Sequence, residues 1–124
     1  MIRNISWLLA LLFISVAVAQ DENYAKENFN KTETYITMRD GTKLFTAIYA
    51  PKDTSVAYPI LMLRTPYSCK PYGEDQYRSK IGPSDTMMKE GYIVVYQDVR
   101  GRWMSEGTYD NMRAYIPNKT GEQF

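Results

Sequence analysis

The pattern of apolar and polar positions first becomes regular at residues 34–49. Residues 34–38 and 43–49 are rich in β-branched and aromatic side chains that partly alternate with polar ones, which is typical of half-buried strands. Asp40 and Gly41 lie between them, and Asp-Gly is a strong turn signal. The segment therefore predicts an antiparallel hairpin whose second strand ends at Pro51.

Two unbroken apolar runs follow, at residues 60–63 and 92–96. Runs of this length without alternation indicate interior strands that are covered on both faces. Residues 83–90 lie between them and predict a short helix, because Pro83 suits a first helical position and Gly91 suits a left-handed stop. The order strand, loop, helix, strand predicts a parallel pair and an α/β fold with a mostly parallel sheet.

Polar segments follow both apolar runs, at what should be the same edge of the sheet. Tyr67 comes just after the first run, and Thr65 stays extended because it precedes Pro66. Ligands bind at the carboxyl edge of open α/β sheets, so Tyr67 is a candidate site residue. The plainer interpretation is an ordinary loop aromatic. Trp103, after the second run, either contacts substrate or covers the core, and the tendency of large aromatics to bury area favours the cover.

The beginning of the chain has a different pattern. Residues 7–18 are almost wholly apolar, a basic residue precedes them, and a small-x-small sequence ends at residue 19. These features predict a signal peptide at 1–19, since the run is shorter than the roughly 20 residues of a spanning helix. A retained membrane anchor is the alternative. We expect a flexible leader at 20–33, where Lys and Glu are interspersed, then a domain at 34–124. The protein should be secreted or periplasmic, without a stable membrane span after cleavage.

Composition excludes several classes of function. The 124 residues include 15 basic and 14 acidic side chains, and no basic stripe is present, so nucleic acid is not an expected partner. Cys69 is the single cysteine and there is no histidine. No Ser-His or Cys-His pair and no His-containing zinc site can be assembled from these residues. We therefore expect no metal or cofactor, and we do not expect Cys69 to be a nucleophile.

Several short motifs, taken in order, resemble the start of a known enzyme family. They are Met-Arg-Asp-Gly-Thr-Lys-Leu at 38–44, Arg-Thr-Pro-Tyr at 64–67, Gly-Tyr at 91–92, Gln-Asp-Val-Arg-Gly at 97–101 and Ser-Glu-Gly at 105–107. This set is similar to the X-Pro dipeptidyl-peptidase, cocaine esterase and α-amino-acid ester hydrolase group, the S15-type serine hydrolases. The resemblance implies an α/β-hydrolase fold, of which this chain would be an incomplete N-terminal part. It also implies a Ser-Asp-His triad that cleaves amide or ester bonds of a small-molecule or peptide acyl substrate.

The resemblance also assigns roles to residues. In this family the tyrosine of the Arg-x-Pro-Tyr motif donates its hydroxyl to the oxyanion hole, which implies this role for Tyr67. Asp98, Arg100 and Gly101 look like the family's structural turn beside the site. They are expected to fix the loop geometry and not to perform chemistry.

The chain departs from the family in what it lacks. It contains no Gly-x-Ser-x-Gly elbow and no histidine, and Ser68 and Ser105 have neither an elbow nor a base. The expectation is therefore an N-terminal fragment of a secreted serine hydrolase that is inactive alone. The alternative is a non-catalytic secreted β-rich binding module, because the chain has 11 tyrosines and tyrosine is favoured on binding surfaces.

Overall fold

The computed structural model describes residues 23–112 and residue 117. In chain order the elements are helix α1 (Tyr24–Asn28), strands β1 (Phe29–Thr37), β2 (Lys43–Pro51) and β3 (Ile60–Thr65), helix α2 (Asp85–Lys89) and strand β4 (Ile93–Asp98). Within this part of the chain the four strands form one sheet in the order β1-β2-β4-β3. The mixed α/β architecture expected from the sequence is confirmed. The signal peptide expected at 1–19 lies outside the described residues. None of the described helices is long and apolar enough to cross a membrane.

The predicted hairpin is present. Strands β1 and β2 are antiparallel, and the register runs from Phe29 opposite Pro51 to Thr37 opposite Lys43. In the turn the backbone N–H of Met38 donates to the carbonyl of Thr42 over 2.8 Å. Gly41 has φ +83°, which glycine adopts at little cost.

The structure corrects the interpretation of residues 24–33 as part of a flexible leader. They form α1 and the first half of β1. Ala25 and Phe29 are buried in the core, and so is Lys31. Lys and Glu are interspersed in this stretch, which is typical of solvated chain. Its two buried apolar residues, Ala25 and Phe29, are too sparse to show a period.

The predicted crossover between β3 and β4 is also present, and the two strands are parallel. Helix α2 begins at Asp85 because the side chain of Ser84 accepts the Met87 N–H as an N-cap. Pro83 therefore precedes the cap and is not the first helical residue. Gly91 follows the helix with φ +84°, and a Cβ there would lie 2.6 Å from the ring of Tyr58. The glycine thus serves both the left-handed stop and close packing.

The two apolar runs differ in their surroundings. Strand β4 lies between β2 and β3 and is almost wholly buried, as predicted. Strand β3 is the edge of the sheet formed by the described residues, and Ile60, Met62 and Leu63 are 65%, 50% and 52% exposed. The prediction of an interior strand is therefore wrong for β3 in this structure. An apolar pattern shows that a strand needs cover, but it does not say which segment supplies the cover.

The core lies against one face of β2 and β4. Tyr49 is fully buried there and makes edge-to-face contacts with Tyr77 and Tyr96, with ring centroids 5.9 Å apart in each pair. Phe45 contacts Tyr72 in the same way at 5.2 Å. Tyr72 and Tyr77 belong to the loop between β3 and α2. This loop therefore packs on the core, which fixes the position of the residues that directly follow β3.

Candidate functional site

The carboxyl ends of β3 and β4 meet at one edge of the sheet. Thr65 and Asp98, the last residues of the two strands, are register partners. The backbone N–H of Val99 donates to the carbonyl of Thr65 over 3.2 Å, so the strands remain paired to their ends. The loops that carry Tyr67 and residues 99–107 therefore leave the sheet side by side, as the parallel arrangement predicts.

Tyr67 lies at this edge with its side chain in solvent. It is 85% exposed, so it does not serve the core. Its backbone N–H donates to Oγ1 of Thr65 over 3.0 Å. The next residue, Ser68, is buried and has φ +94°, a left-handed conformation that is uncommon for a residue with a side chain. Tyr67 thus points into solvent between a hydrogen-bonded backbone N–H and a buried left-handed residue, while its catalytic role stays a prediction.

The buried carboxylate of Asp98 connects the two loops through hydrogen bonds. Oδ1 accepts the backbone N–H of Cys69 over 2.9 Å, and Oδ2 accepts the hydroxyl of Tyr72 over 2.9 Å. Oδ2 also lies 3.4 Å from the backbone nitrogen of Met104, which donates to it. Because these donors come from both loops, a single carboxylate fixes their relative position.

The environment of this network keeps its neighbours protonated. Burial raises the pKa of Tyr72 to about 12, and its hydrogen bond to Asp98 acts in the same direction. Burial, and then the Asp98 carboxylate, also raise the pKa of the Cys69 thiol well above its ordinary value. A buried thiol with a raised pKa is a poor nucleophile, which agrees with the sequence-based expectation for Cys69.

Arg100 ties the hairpin turn to the loop after β4. Its Nη1 lies 2.7 Å from Oδ2 of Asp40 and donates to Oγ1 of Thr42. The hydrogen bond from Arg100 holds the pKa of the Asp40 carboxyl below its usual range. The guanidinium of Arg100 therefore has a structural role: it links the hairpin turn to the loop after β4.

Gly101 closes the loop at residues 101–107. It has φ +69°, and a Cβ there would lie 2.1 Å from the backbone nitrogen of Tyr109. Its N–H donates to the carbonyl of Glu106 over 2.9 Å. Ser105 is buried, donates its hydroxyl to the Asp98 carbonyl over 2.7 Å and accepts the N–H of Phe45 over 2.9 Å. Only glycine fits at position 101. The Ser105 hydroxyl has a structural role, because both of its hydrogen bonds hold the loop to the strands.

Trp103 does not cover the core, contrary to the interpretation favoured by its size. It is 51% exposed, and its indole Nε1 donates to the carbonyl of Pro66 over 2.8 Å. The ammonium of Lys70 lies 5.2 Å from the centre of its ring. Trp103 therefore belongs to the edge that displays Tyr67, next to the loop that carries it.

Sequence reasoning missed a buried lysine that holds the loop after β3. The side chain of Lys31 is 0% exposed and lies 2.7 Å from Oε1 of Glu33. Its Nζ also donates to three loop carbonyls, those of Pro71, Gly73 and Gln76, over 2.7, 2.7 and 2.9 Å. The signal in the sequence is that Lys31 is two residues after Phe29, so both side chains lie on the same face of a strand.

The chemistry of the edge is that of a hydrogen-bond donor without a base. A phenol hydroxyl in solvent can donate to a substrate oxygen, and the chain contains no histidine that could activate a nucleophile. Over residues 23–112 and 117, no group of three His, Cys, Asp or Glu side chains could hold a metal ion. Among the described residues, this edge therefore offers a hydrogen-bond donor without a histidine base beside it.

Comparison with known proteins identifies the class and then the family. The solved structures that resemble this chain include an aminopeptidase from the marine sediment archaeon Thaumarchaeota archaeon, with TM-score 0.57 and 39% identity over 68% of this chain. They also include an α-amino acid ester hydrolase, with TM-score 0.55 and 37% identity over 67% of this chain. A cocaine esterase from Rhodococcus sp. (strain MB1 Bresler) is 32% identical over 74 residues, 60% of this chain. These similar proteins are named as peptidase- and esterase-type hydrolases.

The profile of the X-Pro dipeptidyl-peptidase (S15) family matches residues 40–121. The chain belongs to this family, as the sequence motifs indicated. It spans only a small part of its relatives, 14% of the length of each solved structure and 12% of the cocaine esterase.

Proposed function

We propose that this chain is the N-terminal portion of a secreted S15-type serine hydrolase that cleaves amide or ester bonds. We further propose that Tyr67 donates one hydrogen bond of the oxyanion hole. Family membership over residues 40–121 supports the reaction class. The observation that carries the role of Tyr67 is its position: the residue is 85% exposed at the carboxyl ends of β3 and β4, and its backbone N–H is hydrogen-bonded to Thr65. The apolar run at 7–18 supports secretion.

The proposed reaction uses a serine from a segment beyond these 124 residues. That serine attacks the substrate carbonyl and forms an acyl-enzyme as the amine or alcohol leaves, and water then hydrolyses the acyl-enzyme and frees the serine. As the carbonyl oxygen becomes an oxyanion, the hydroxyl of Tyr67 donates a hydrogen bond to it. One donor of this kind lowers the barrier by about 3 kcal/mol. In α/β-hydrolases the loop after the third strand supplies an oxyanion donor, and Tyr67 follows β3.

The same proposal predicts that the 124-residue chain alone has no hydrolase activity. It contains no histidine and no Gly-x-Ser-x-Gly sequence, so neither the base nor an elbow nucleophile is available. Ser68 and Ser105 do not replace the nucleophile, since both are buried and hydrogen-bonded within the loops. The catalytic groups must therefore come from another part of the enzyme.

The test uses the complete hydrolase that carries this segment. Tyr67→Phe keeps the ring and removes only the hydroxyl, so kcat should fall by about 100-fold or more while KM changes little. Hydrolysis of p-nitrophenyl acetate and of an aminoacyl p-nitroanilide measures both ester and amide cleavage. Tyr35→Phe is the matched control, because Tyr35 is also exposed but lies on β1, at the opposite edge of the sheet.

The two kinetic constants separate the outcomes. A rise in KM alone would assign Tyr67 to substrate binding and contradict the oxyanion role. Equal kcat values for Tyr67→Phe and Tyr35→Phe would contradict it as well. Hydrolysis of neither probe by the unmodified complete protein would contradict the proposed reaction class.

A further inference from the structure

We infer from the geometry that Trp103 is a positioning residue for Tyr67, and that it acts through the carbonyl of Pro66. This inference rests on the proposed function, because it specifies what holds the oxyanion donor in place. Trp103 itself does not touch the reacting atoms. Its indole instead fixes the peptide unit from which the Tyr67 side chain projects.

The peptide unit between Pro66 and Tyr67 is held at both polar ends by side chains. Its carbonyl oxygen accepts Nε1 of Trp103 over 2.8 Å. Its N–H donates to Oγ1 of Thr65 over 3.0 Å. Arg102 Nε also donates to the carbonyl, over a longer 3.4 Å. With both ends bonded, rotation of this peptide plane breaks a hydrogen bond, so the direction of the next Cα–Cβ bond is restricted.

The backbone of Trp103 is in an unusual conformation that makes this contact possible. Its φ is +53°, in the left-handed region that bulky residues rarely adopt. Ser68, directly after Tyr67, is also left-handed with φ +94°. Such residues persist only where their surroundings hold them, and they cluster at functional sites. Two of them therefore border the segment that displays the phenol, one in each loop.

The indole N–H is the important group of Trp103, because the side chain contributes little to the core. Half of it is in solvent, and its ring contacts are to the cations of Lys70 and Arg102, at 5.2 and 5.7 Å. A phenylalanine would keep an aromatic face for both cations and would lose only the donor to Pro66. Trp103→Phe thus isolates the proposed interaction.

The test is a double-mutant cycle in the complete hydrolase, with p-nitrophenyl acetate as the probe. Trp103→Phe should lower kcat about tenfold, the effect of one neutral hydrogen bond, with KM and the thermal unfolding midpoint unchanged. In the Tyr67→Phe background the same change should cause no further loss, because there is no phenol left to position. Tyr109→Phe is the control, since it removes a hydroxyl that donates to Asn111 and keeps the ring that faces Arg102.

The four kcat values distinguish the possible failures. If Tyr67→Phe alone has no effect on kcat, the proposed oxyanion role is overturned, and the positioning role with it. If Tyr67→Phe is severe and Trp103→Phe is neutral, only the positioning role is overturned. Losses that multiply in the double variant, or a fall in kcat that accompanies a lower unfolding midpoint, assign Trp103 to general structure and likewise overturn it.

Discussion

At the scale of single residues, Asp98 shows how one buried carboxylate organises the edge. It is fully buried, and hydrogen bonds from Cys69, Tyr72 and Met104 stabilise it. Hydrogen bonds to an ionised group are stronger than those between neutral groups. The two loops therefore meet at Asp98, and Tyr67 projects from one of them.

Asp98→Asn should destabilise the complete protein by about 2 kcal/mol. The amide has the same shape, but one oxygen becomes an NH₂ group that faces donors in a buried site. The thermal unfolding midpoint measures the effect. Asp53→Asn is the matched control, because Asp53 is exposed and accepts the Ser55 N–H within a loop, and it should have little effect. Equal midpoints for the two variants would contradict the structural role of Asp98.

The candidate residues differ in how far the sequence could place them. Tyr67 was predictable, because it directly follows an apolar run and a Thr-Pro pair that keeps the chain extended. The contact of Trp103 with Pro66 was not, because it depends on a φ of +53° and on two loops that are 37 residues apart in sequence. The local sequence pattern indicates where a strand ends, but it does not indicate how loops that are distant in sequence pack together.

At the scale of elements, Lys31 and Glu33 of β1, which form an ion pair with each other, hold the hairpin to the loop after β3 through hydrogen bonds. Lys31 donates to three loop carbonyls, and Glu33 accepts the N–H of Gly73 over 2.8 Å. The loop in turn places Tyr72 beside Asp98. The start of β1 thus supports the candidate site from the far side of the sheet, although its composition is typical of solvated chain.

Lys31→Met should therefore destabilise the complete protein by about 3 kcal/mol, because removal of one partner leaves Glu33 and the carbonyls uncompensated in a buried site. Urea unfolding, followed through limited proteolysis of the loop at 68–81, measures the change and its location. Lys80→Met makes the same substitution in an exposed ion pair with Asp85 at 3.3 Å, and should change nothing measurable. Similar unfolding midpoints for both variants would contradict the proposed support by Lys31.

At the scale of the whole molecule, the sequence predicts which strands pair locally better than it predicts which strand lies at the edge of the sheet. The hairpin and the parallel pair were predictable because their signals are local: an Asp-Gly turn, and a short helix between two apolar runs. The pairing of β2 with β4, which are antiparallel, has no such signal. Whether β3 is interior depends on which strand lies beside it, and this information is not contained in β3.

The exposed edge strand leads to a prediction for the 124-residue chain by itself. An edge strand with exposed Ile60, Met62 and Leu63 offers unpaired backbone groups and apolar surface to other molecules. The isolated chain should therefore self-associate and bind a hydrophobic dye such as ANS.

Met62→Lys should reduce both self-association and dye binding, because a lysine on an edge strand opposes pairing. Val56→Lys changes an equally apolar, exposed residue in the connector before β3, and should leave both signals unchanged. Light scattering and dye fluorescence measure the two effects. A soluble monomer with a sharp thermal transition and no dye binding would instead favour the self-contained tyrosine-rich binding module, since only a chain that covers its own sheet unfolds cooperatively as a monomer.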